Sequence, residues 1–144
     1  MPPSGSGDLP LDLLRLANAI VRELIPVVGE FDLTPQQVAV LFRVASLDKP
    51  PSLAALGRAL SVSKQNVTGM AGRLVEAGLL QREGDPGDMR ASRLSLTRRG
   101  EEVVRKLRPA VKEWTDDWLA ILPAQRRQGL EEAVARLLAR LDRA

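Results

Sequence analysis

The stretch from Arg82 to Ala91 constrains the fold of this chain more than any other segment. It is charged and rich in turn-forming residues, and Pro86 with Gly87 supplies the geometry of a tight turn. Short runs of β-forming residues flank it at 79–83 and 92–96, which predicts two antiparallel strands joined by this loop. A single small β-hairpin, in a chain otherwise patterned for helices, indicates a mainly α fold.

Helix start and stop signals surround the predicted hairpin, because Ser and Thr side chains can accept hydrogen bonds from free amides at helix N-termini. The candidate caps are Thr34 (before Pro35), Ser52, Ser63 and Thr97. The caps at Ser52 and Ser63 predict two short helices, 53–60 and 64–77, and Gly78 ends the second. Two short helices joined by a turn and followed by a hairpin form the pattern of a winged helix-turn-helix.

Longer helices are predicted at both ends of the chain. Apolar residues between Leu11 and Val28 recur at helical spacing, and Pro26 should kink or end this helix. After the hairpin, Thr97 begins a long helix whose apolar seam is interrupted only at Pro109, and Pro123 starts the last helix. The predicted order is four helices, a hairpin and two further helices.

Composition excludes several kinds of chemistry. The chain has no Cys, His or Tyr, so disulfides, thiol catalysis, the usual general base and the commonest metal ligand are all absent. It carries 21 Lys and Arg against 18 Asp and Glu, a net charge of +3 that suits an anionic partner. No apolar run approaches the roughly 18 residues of a membrane span, and no leader opens the chain. We therefore expect a cytoplasmic protein with no metal, no cofactor and no membrane partner.

Polar residues at the start of the helix over 64–77 form the strongest candidate site. With the apolar residues of this helix packed inward, its first turns and outer face carry Ser63, Lys64, Gln65, Asn66, Thr68 and Arg73. Gln and Asn can pair with adenine, and Lys and Arg can bind guanine or phosphate, in a major groove. The second helix of a helix-turn-helix enters that groove with its N-terminal part, so the sequence predicts a site for double-stranded DNA. The alternative is an ordinary solvated helix face.

The hairpin supplies a second candidate contact. Arg90 would project from the tip, where an arginine can enter a narrow minor groove, and Arg93 follows on the second strand. Asp88 is repelled by phosphate, so its place here makes sense if it orients a basic side chain. The alternative is an exposed hairpin without function.

Apolar seams on the last two helices predict a homodimer. The seams consist of Val104, Leu107, Val111, Trp114, Trp118 and Ile121, and then of Leu130, Val134, Leu137 and Leu141. They expose more apolar surface than one small domain can cover, and burial stabilises by about 25 cal/mol per Å². Two-fold symmetry would require a pseudo-palindromic operator. In the alternative, both helices fold back onto their own domain.

Several segments resemble the MarR family of bacterial transcriptional regulators. The resemblance lies in Gly78–Arg82, Asp85–Arg90 and Leu94–Gly100, with Leu33–Gln37 and Leu53–Leu56 upstream in the family's order. The site usually written Asp-Arg-Arg in the family reads Asp88-Met89-Arg90 here.

The resemblance implies a triangular homodimer with interleaved N- and C-terminal helices, which adds Leu11 and Leu14 to the expected dimer interface. It also implies major-groove contacts from the helix that begins at Ser63, and minor-groove insertion of Arg90 with Asp88 as its salt-bridging acid. A small anionic or phenolic ligand often binds such proteins between the dimerisation helices and the winged domain. The candidate anion partners are Arg15, Arg22, Arg43 and Arg105, each of which could equally be a surface arginine.

The expected fold class is mainly α with a small antiparallel β-hairpin wing, a winged helix-turn-helix plus dimerisation helices. The expected divisions are a disordered tail (1–8), an N-terminal dimerisation helix (9–31), a winged helix-turn-helix DNA-binding domain (32–98) and C-terminal dimerisation helices (99–144). The predicted function is that of a sequence-specific transcriptional regulator, a repressor or activator that responds to a small aromatic or anionic ligand. A winged-helix protein-interaction module is the second hypothesis, and an enzyme is the third.

Overall fold

The computed structural model describes residues 5–84 and 92–142. Six helices and two strands lie in these ranges. They are α1 (Leu9–Gly29), α2 (Pro35–Ser46), α3 (Leu53–Leu60), α4 (Lys64–Glu76), β1 (Leu80–Glu83), β2 (Arg93–Leu96), α5 (Arg98–Trp118) and α6 (Ala124–Asp142). The predicted fold class and element order are confirmed. The predictions for Asp88 and Arg90, and for residues 1–4 of the N-terminal tail, lie outside the described residues.

The four predicted helix caps are confirmed as hydrogen-bond acceptors. The Thr34 hydroxyl accepts from the backbone N–H of Gln37, whose side chain in turn accepts from the N–H of Thr34, a complete capping box. The hydroxyls of the other three caps accept from the amide three residues further on: Ser52 from Ala55, Ser63 from Asn66 and Thr97 from Gly100. These bonds are local in sequence, so residue type alone was enough to predict where the helices begin.

Both prolines inside the long helices leave those helices continuous. Helix α1 runs through Pro26 to Gly29, so the alternative that Pro26 ends this helix is wrong. Val28 is almost fully buried, and α1 packs against α2 and α5. A proline inside a helix costs about 3 kcal/mol, and burial of Val28 in the last turn of α1 offsets part of that loss. Helix α5 likewise continues through Pro109.

The apolar core lies within the winged domain and also includes the first half of α5 and Val28 near the end of α1. Val104 and Leu107 are buried there, whereas Ile121, which follows α5, is 88% exposed. The predicted seam on α5 therefore divides. Its first half folds back onto its own domain, as the alternative interpretation held, and its far end does not.

The hairpin pairs β1 with β2 in antiparallel register, from Leu80 opposite Leu96 to Glu83 opposite Arg93. Leu80 and Leu94 point into the core. The N–H of Leu94 also donates to the carbonyl of Pro51, which fastens the hairpin to the residues just before α3. Within residues 5–84 and 92–142, no helix combines the length and the apolar character needed to cross a membrane.

Candidate nucleic-acid interface

Helices α3 and α4 form a closed helix-turn-helix. The turn places Ser61 in the left-handed region (φ 52°), and the N–H of Val62 donates to the carbonyl of Gly57. Leu56 of α3 and Val67 of α4 are completely buried, so the two helices share one apolar contact. This packing fixes which side of α4 faces away from the domain.

That outer side carries the predicted DNA-binding residues. Five of them, Ser63, Lys64, Gln65, Asn66 and Arg73, are exposed, and Thr68 is half-buried. The Thr68 hydroxyl donates to the carbonyl of Lys64 within the helix, and the Ser63 hydroxyl serves as the N-cap. Neither Lys64 nor Arg73 forms an ion pair with any described residue. The long polar side chains of α4 are therefore available to a partner.

Gly69 leaves the middle of this helix surface without a side chain. It lies four residues after Gln65 and three before Gly72, so the three positions share one side of the helix. A Cβ atom built on Gly69 would meet no atom within 4 Å. A partner can therefore approach the backbone of α4 closely at this point.

Charge is segregated along the chain. Residues 49–75 contain Lys49, Arg58, Lys64 and Arg73 and no acidic residue. The far half of α5 has the opposite character, because Glu113 and Asp117 line a cavity there beside Trp114. The helix-turn-helix therefore suits a polyanion better than the far half of α5 does.

Of the three predicted wing residues, the structure describes Arg93 alone. Arg93 is exposed on β2 opposite Glu83, at the end of the strand that leads from residues 85–91. The isolated bridge between Ser52 and Arg93 places this residue beside the N-terminus of α3. Arg93 thus belongs to the same part of the domain as the helix-turn-helix.

An ion network joins α5 to α6. Asp116 accepts from Lys112 at 2.6 Å and from Arg127 of α6 at 2.8 Å, and Arg127 also contacts Glu131 at 3.2 Å. The hydrogen bond from Lys112, followed by that from Arg127, lowers the pKa of Asp116. The hydrogen bond that Arg127 donates to Asp116 raises the pKa of Arg127. These groups are partly exposed to solvent, so the network contributes little to the stability of the fold.

Most of the predicted dimer residues form a broad apolar surface outside the core, whereas Val111 packs against the core. Trp114 and Trp118 stack with their ring centroids 5.3 Å apart, and both are half-buried, as is Val111. The exposed members are Leu11 and Leu14 of α1 and Leu130, Val134, Leu137 and Leu141 of α6. Sequence reasoning missed Leu9, Leu13, Leu16 and Leu138, which are equally exposed. The density of leucine in 9–16 was the signal that could have identified three of them.

The candidate anion partners lie in different surroundings. Arg15 and Arg22 line a groove along α1, while Arg105 lines a cavity of about 400 Å³ between α2, β2 and α5. The Nε of Arg43 is buried and has no hydrogen-bond partner among the described residues. The guanidinium of Arg108, in the same cavity as Arg105, lies 4.8 Å from the centre of the Phe42 ring.

Helix-turn-helix, hairpin and following long helix together define a winged helix-turn-helix protein. The model of the MarR family matches residues 31–91. The transcriptional repressor MprA of Escherichia coli K12 is 31% identical over 87 residues, which are 60% of this chain and 49% of the relative. The chain spans about half the length of the curated relatives it matches. Residues 31–91, which contain the winged-helix region, are thus similar to the MarR family of transcriptional regulators.

Solved structures share the fold over almost the whole chain. A probable transcriptional regulator from Pseudomonas aeruginosa is 29% identical with a TM-score of 0.77, covering 91% of this chain and 97% of that one. MarR is 24% identical with a TM-score of 0.83, covering 99% and 97%. NadR in complex with 4-hydroxyphenylacetate is 23% identical with a TM-score of 0.77, covering 96% and 98%.

Proposed function

We propose that this protein is a sequence-specific DNA-binding transcriptional repressor that acts as a homodimer on a pseudo-palindromic operator. The observation that carries the proposal is the outer side of α4, where polar and basic residues are exposed on a closed helix-turn-helix without an acidic residue between 49 and 75. A helix presented in this way fits the major groove of B-DNA.

Each group of side chains has its own task in this proposal. Gln65 and Asn66, in the first turn of α4, reach base edges, where their amides can pair with adenine. Lys64 and Arg73 bind phosphates or guanine. The wing residues Arg90 and Arg93 contact the minor groove and its phosphates, with Asp88 supporting Arg90. In this division α4 selects the sequence, and the wing adds affinity.

The homodimer rests on the apolar surface of α1 and α6. In the single chain every described residue of α6 from Gly129 onward is exposed, including Leu137 at 58% and Leu141 at 52%. Monomeric soluble proteins rarely expose apolar patches of this extent. A second copy of the chain would cover the patch and place two α4 helices on one face of the DNA.

A mobility-shift assay on the DNA upstream of the protein's own gene tests the proposal. We expect a salt-sensitive complex of two chains per operator that unrelated duplex of equal length does not displace. If neither this DNA nor related palindromes bind, the winged-helix protein-interaction module becomes the better hypothesis.

Changing Gly69 to Ala should raise the stability of the protein and lower its affinity for the operator. The added methyl group meets no atom within 4 Å, so better helix propensity should raise the free energy of unfolding by about 0.5–1 kcal/mol. The same methyl group would stand between α4 and the groove, so operator affinity should fall. Urea unfolding and fluorescence anisotropy measure the two effects.

Gly129→Ala is the matched control for this change. It also adds a methyl group that meets no atom within 4 Å, but in α6. This variant should be stabilised to a similar degree and keep its operator affinity. Equal affinity of the Gly69→Ala variant and the unmodified protein would contradict close approach at Gly69.

We further propose that a small aromatic carboxylate releases the operator by binding in the cavity between α2, β2 and α5. The cavity is lined by two arginines, Arg105 and Arg108, and one acidic residue, Glu101. The two arginines can pair with the ligand's carboxylate, and Ala45, Leu96 and Val104 provide apolar walls. The NadR complex makes 4-hydroxyphenylacetate a suitable probe. A ligand of this kind acts only if it binds the released arrangement more tightly.

Arg105→Ala should weaken binding of 4-hydroxyphenylacetate by about tenfold, because it removes a charge-assisted hydrogen bond. Isothermal titration calorimetry measures the affinity, and Arg136→Ala on α6 removes the same charge outside the cavity. Equal affinities for the two variants would place the ligand elsewhere.

A further inference from the structure

The end of α4 and the start of α5 meet in a compact joint, formed by Gly78, Leu79, Thr97 and Gly100. Gly78 has a positive φ of 76° and ends α4. Its N–H donates to the carbonyl of Val75, and the N–H of Leu79 donates to the carbonyl of Leu74, the two bonds of a Schellman motif. The last turn of α4 therefore has a single defined geometry.

The Thr97 side chain forms hydrogen bonds both at the start of α5 and just beyond the end of α4. Its hydroxyl accepts from the N–H of Gly100, which caps α5, and donates to the carbonyl of Gly78, beyond the end of α4. The backbone N–H of Thr97 adds a bond to the carbonyl of Leu79. Thr97 thus caps α5 with one hydrogen bond and joins it to the residues after α4 with two more.

Gly100 closes the joint by close packing. A Cβ atom at this position would overlap the backbone carbonyl of Leu79, an atom that no rotamer change can move away. The first turn of α5 therefore lies directly against the chain that leaves α4. Nothing in the joint is long or flexible enough to absorb a relative rotation of the two helices.

We propose that Thr97 and Gly100 are positioning residues that hold α4 at a fixed angle to α5. Val104 and Leu107, in the first half of α5, are buried in the core. The stacked Trp114 and Trp118, in its second half, belong to the apolar surface that contains the predicted dimer residues. A change in the direction of α5 must therefore turn α4 with it. The meaning of this coupling for DNA rests on the proposed function, but the coupling itself is a property of the chain.

Two variants distinguish the hydrogen bond from Thr97 to Gly78 from ordinary capping of α5. Thr97→Asp keeps an acceptor for the Gly100 amide, and Asp is a good N-cap, but its carboxylate has no proton to donate to Gly78. Thr97→Ser keeps both bonds. Circular dichroism first establishes that each variant has the helix content of the unmodified protein.

The angle is read by double electron–electron resonance between nitroxides attached through Gln65→Cys on α4 and Lys106→Cys on α5. The chain has no cysteine of its own, so labelling is confined to these sites. Dilution with unlabelled protein makes the pair within one chain dominate the signal. No DNA is needed, so the result does not depend on the proposed function.

We expect a narrow distance distribution for the unmodified protein and for Thr97→Ser, and a broadened, shifted one for Thr97→Asp. An unchanged distribution in Thr97→Asp would overturn the proposal, and so would equal broadening in both variants.

In a second measurement, one base pair is inserted between the operator half-sites. The unmodified protein should lose roughly tenfold in affinity, and Thr97→Asp should lose less. Failure of the unmodified protein to bind any operator would reject the proposed function and leave the distance result valid.

Discussion

Replacing both Leu137 and Leu141 with Glu should yield a monomer that binds the operator about 10²–10⁴-fold more weakly. In the dimer, binding of one chain to its half-site holds the second chain close to the other half-site, and a monomer lacks this effect. Both leucines are exposed on one side of α6, at 58% and 52%. Burying two carboxylates in an apolar contact would cost several kcal/mol per ion, more than the contact contributes. Analytical ultracentrifugation measures the mass, and anisotropy measures the affinity.

The matched control is Ala135→Glu with Ala139→Glu. It introduces the same two charges at the same spacing on the opposite side of α6, where both alanines are exposed. This variant should stay dimeric and keep its operator affinity. A Leu137→Glu, Leu141→Glu protein that still sediments as a dimer would remove α6 from the interface.

The second large effect is expected from removing both basic residues of α4. Lys64→Ala with Arg73→Ala eliminates four positive contacts in a homodimer, so the slope of log affinity against log salt should fall by about 3 to 4 units. At moderate salt the affinity should drop by roughly two orders of magnitude. Titrations at several salt concentrations give both quantities.

Asn66→Ala and a charge-matched variant identify the kind of contact. Asn66→Ala should leave the salt slope unchanged and relax the preference at one base pair, because its amide reads a base edge. Lys106→Ala with Arg136→Ala removes the same charge from α5 and α6, away from the proposed groove. If this control lowers the slope as much as the α4 variant does, binding depends on net charge and α4 has no special role.

The candidate site was largely predictable from sequence because it depends on helical period and residue type. Once the apolar residues of 64–77 were assigned to the inside, the exposure of Lys64, Gln65 and Asn66 followed from 3.6 residues per turn, and the structure has all three exposed. Thr68 was less predictable, since its hydroxyl bonds to the Lys64 carbonyl within the helix. The contribution of each residue to binding stays a prediction.

Sequence by itself determined the secondary-structure elements of this protein: the four helix caps, the two antiparallel strands and the mainly α class. These features depend on interactions between residues a few positions apart, which a linear chain already specifies. Tertiary structure alone decided that α1 continues past Pro26, that Val104 and Leu107 join the core while Ile121 does not, and that Thr97 binds Gly78. Each of these features depends on contacts between segments that are distant in sequence. Burial against such a segment can outweigh a local conformational preference.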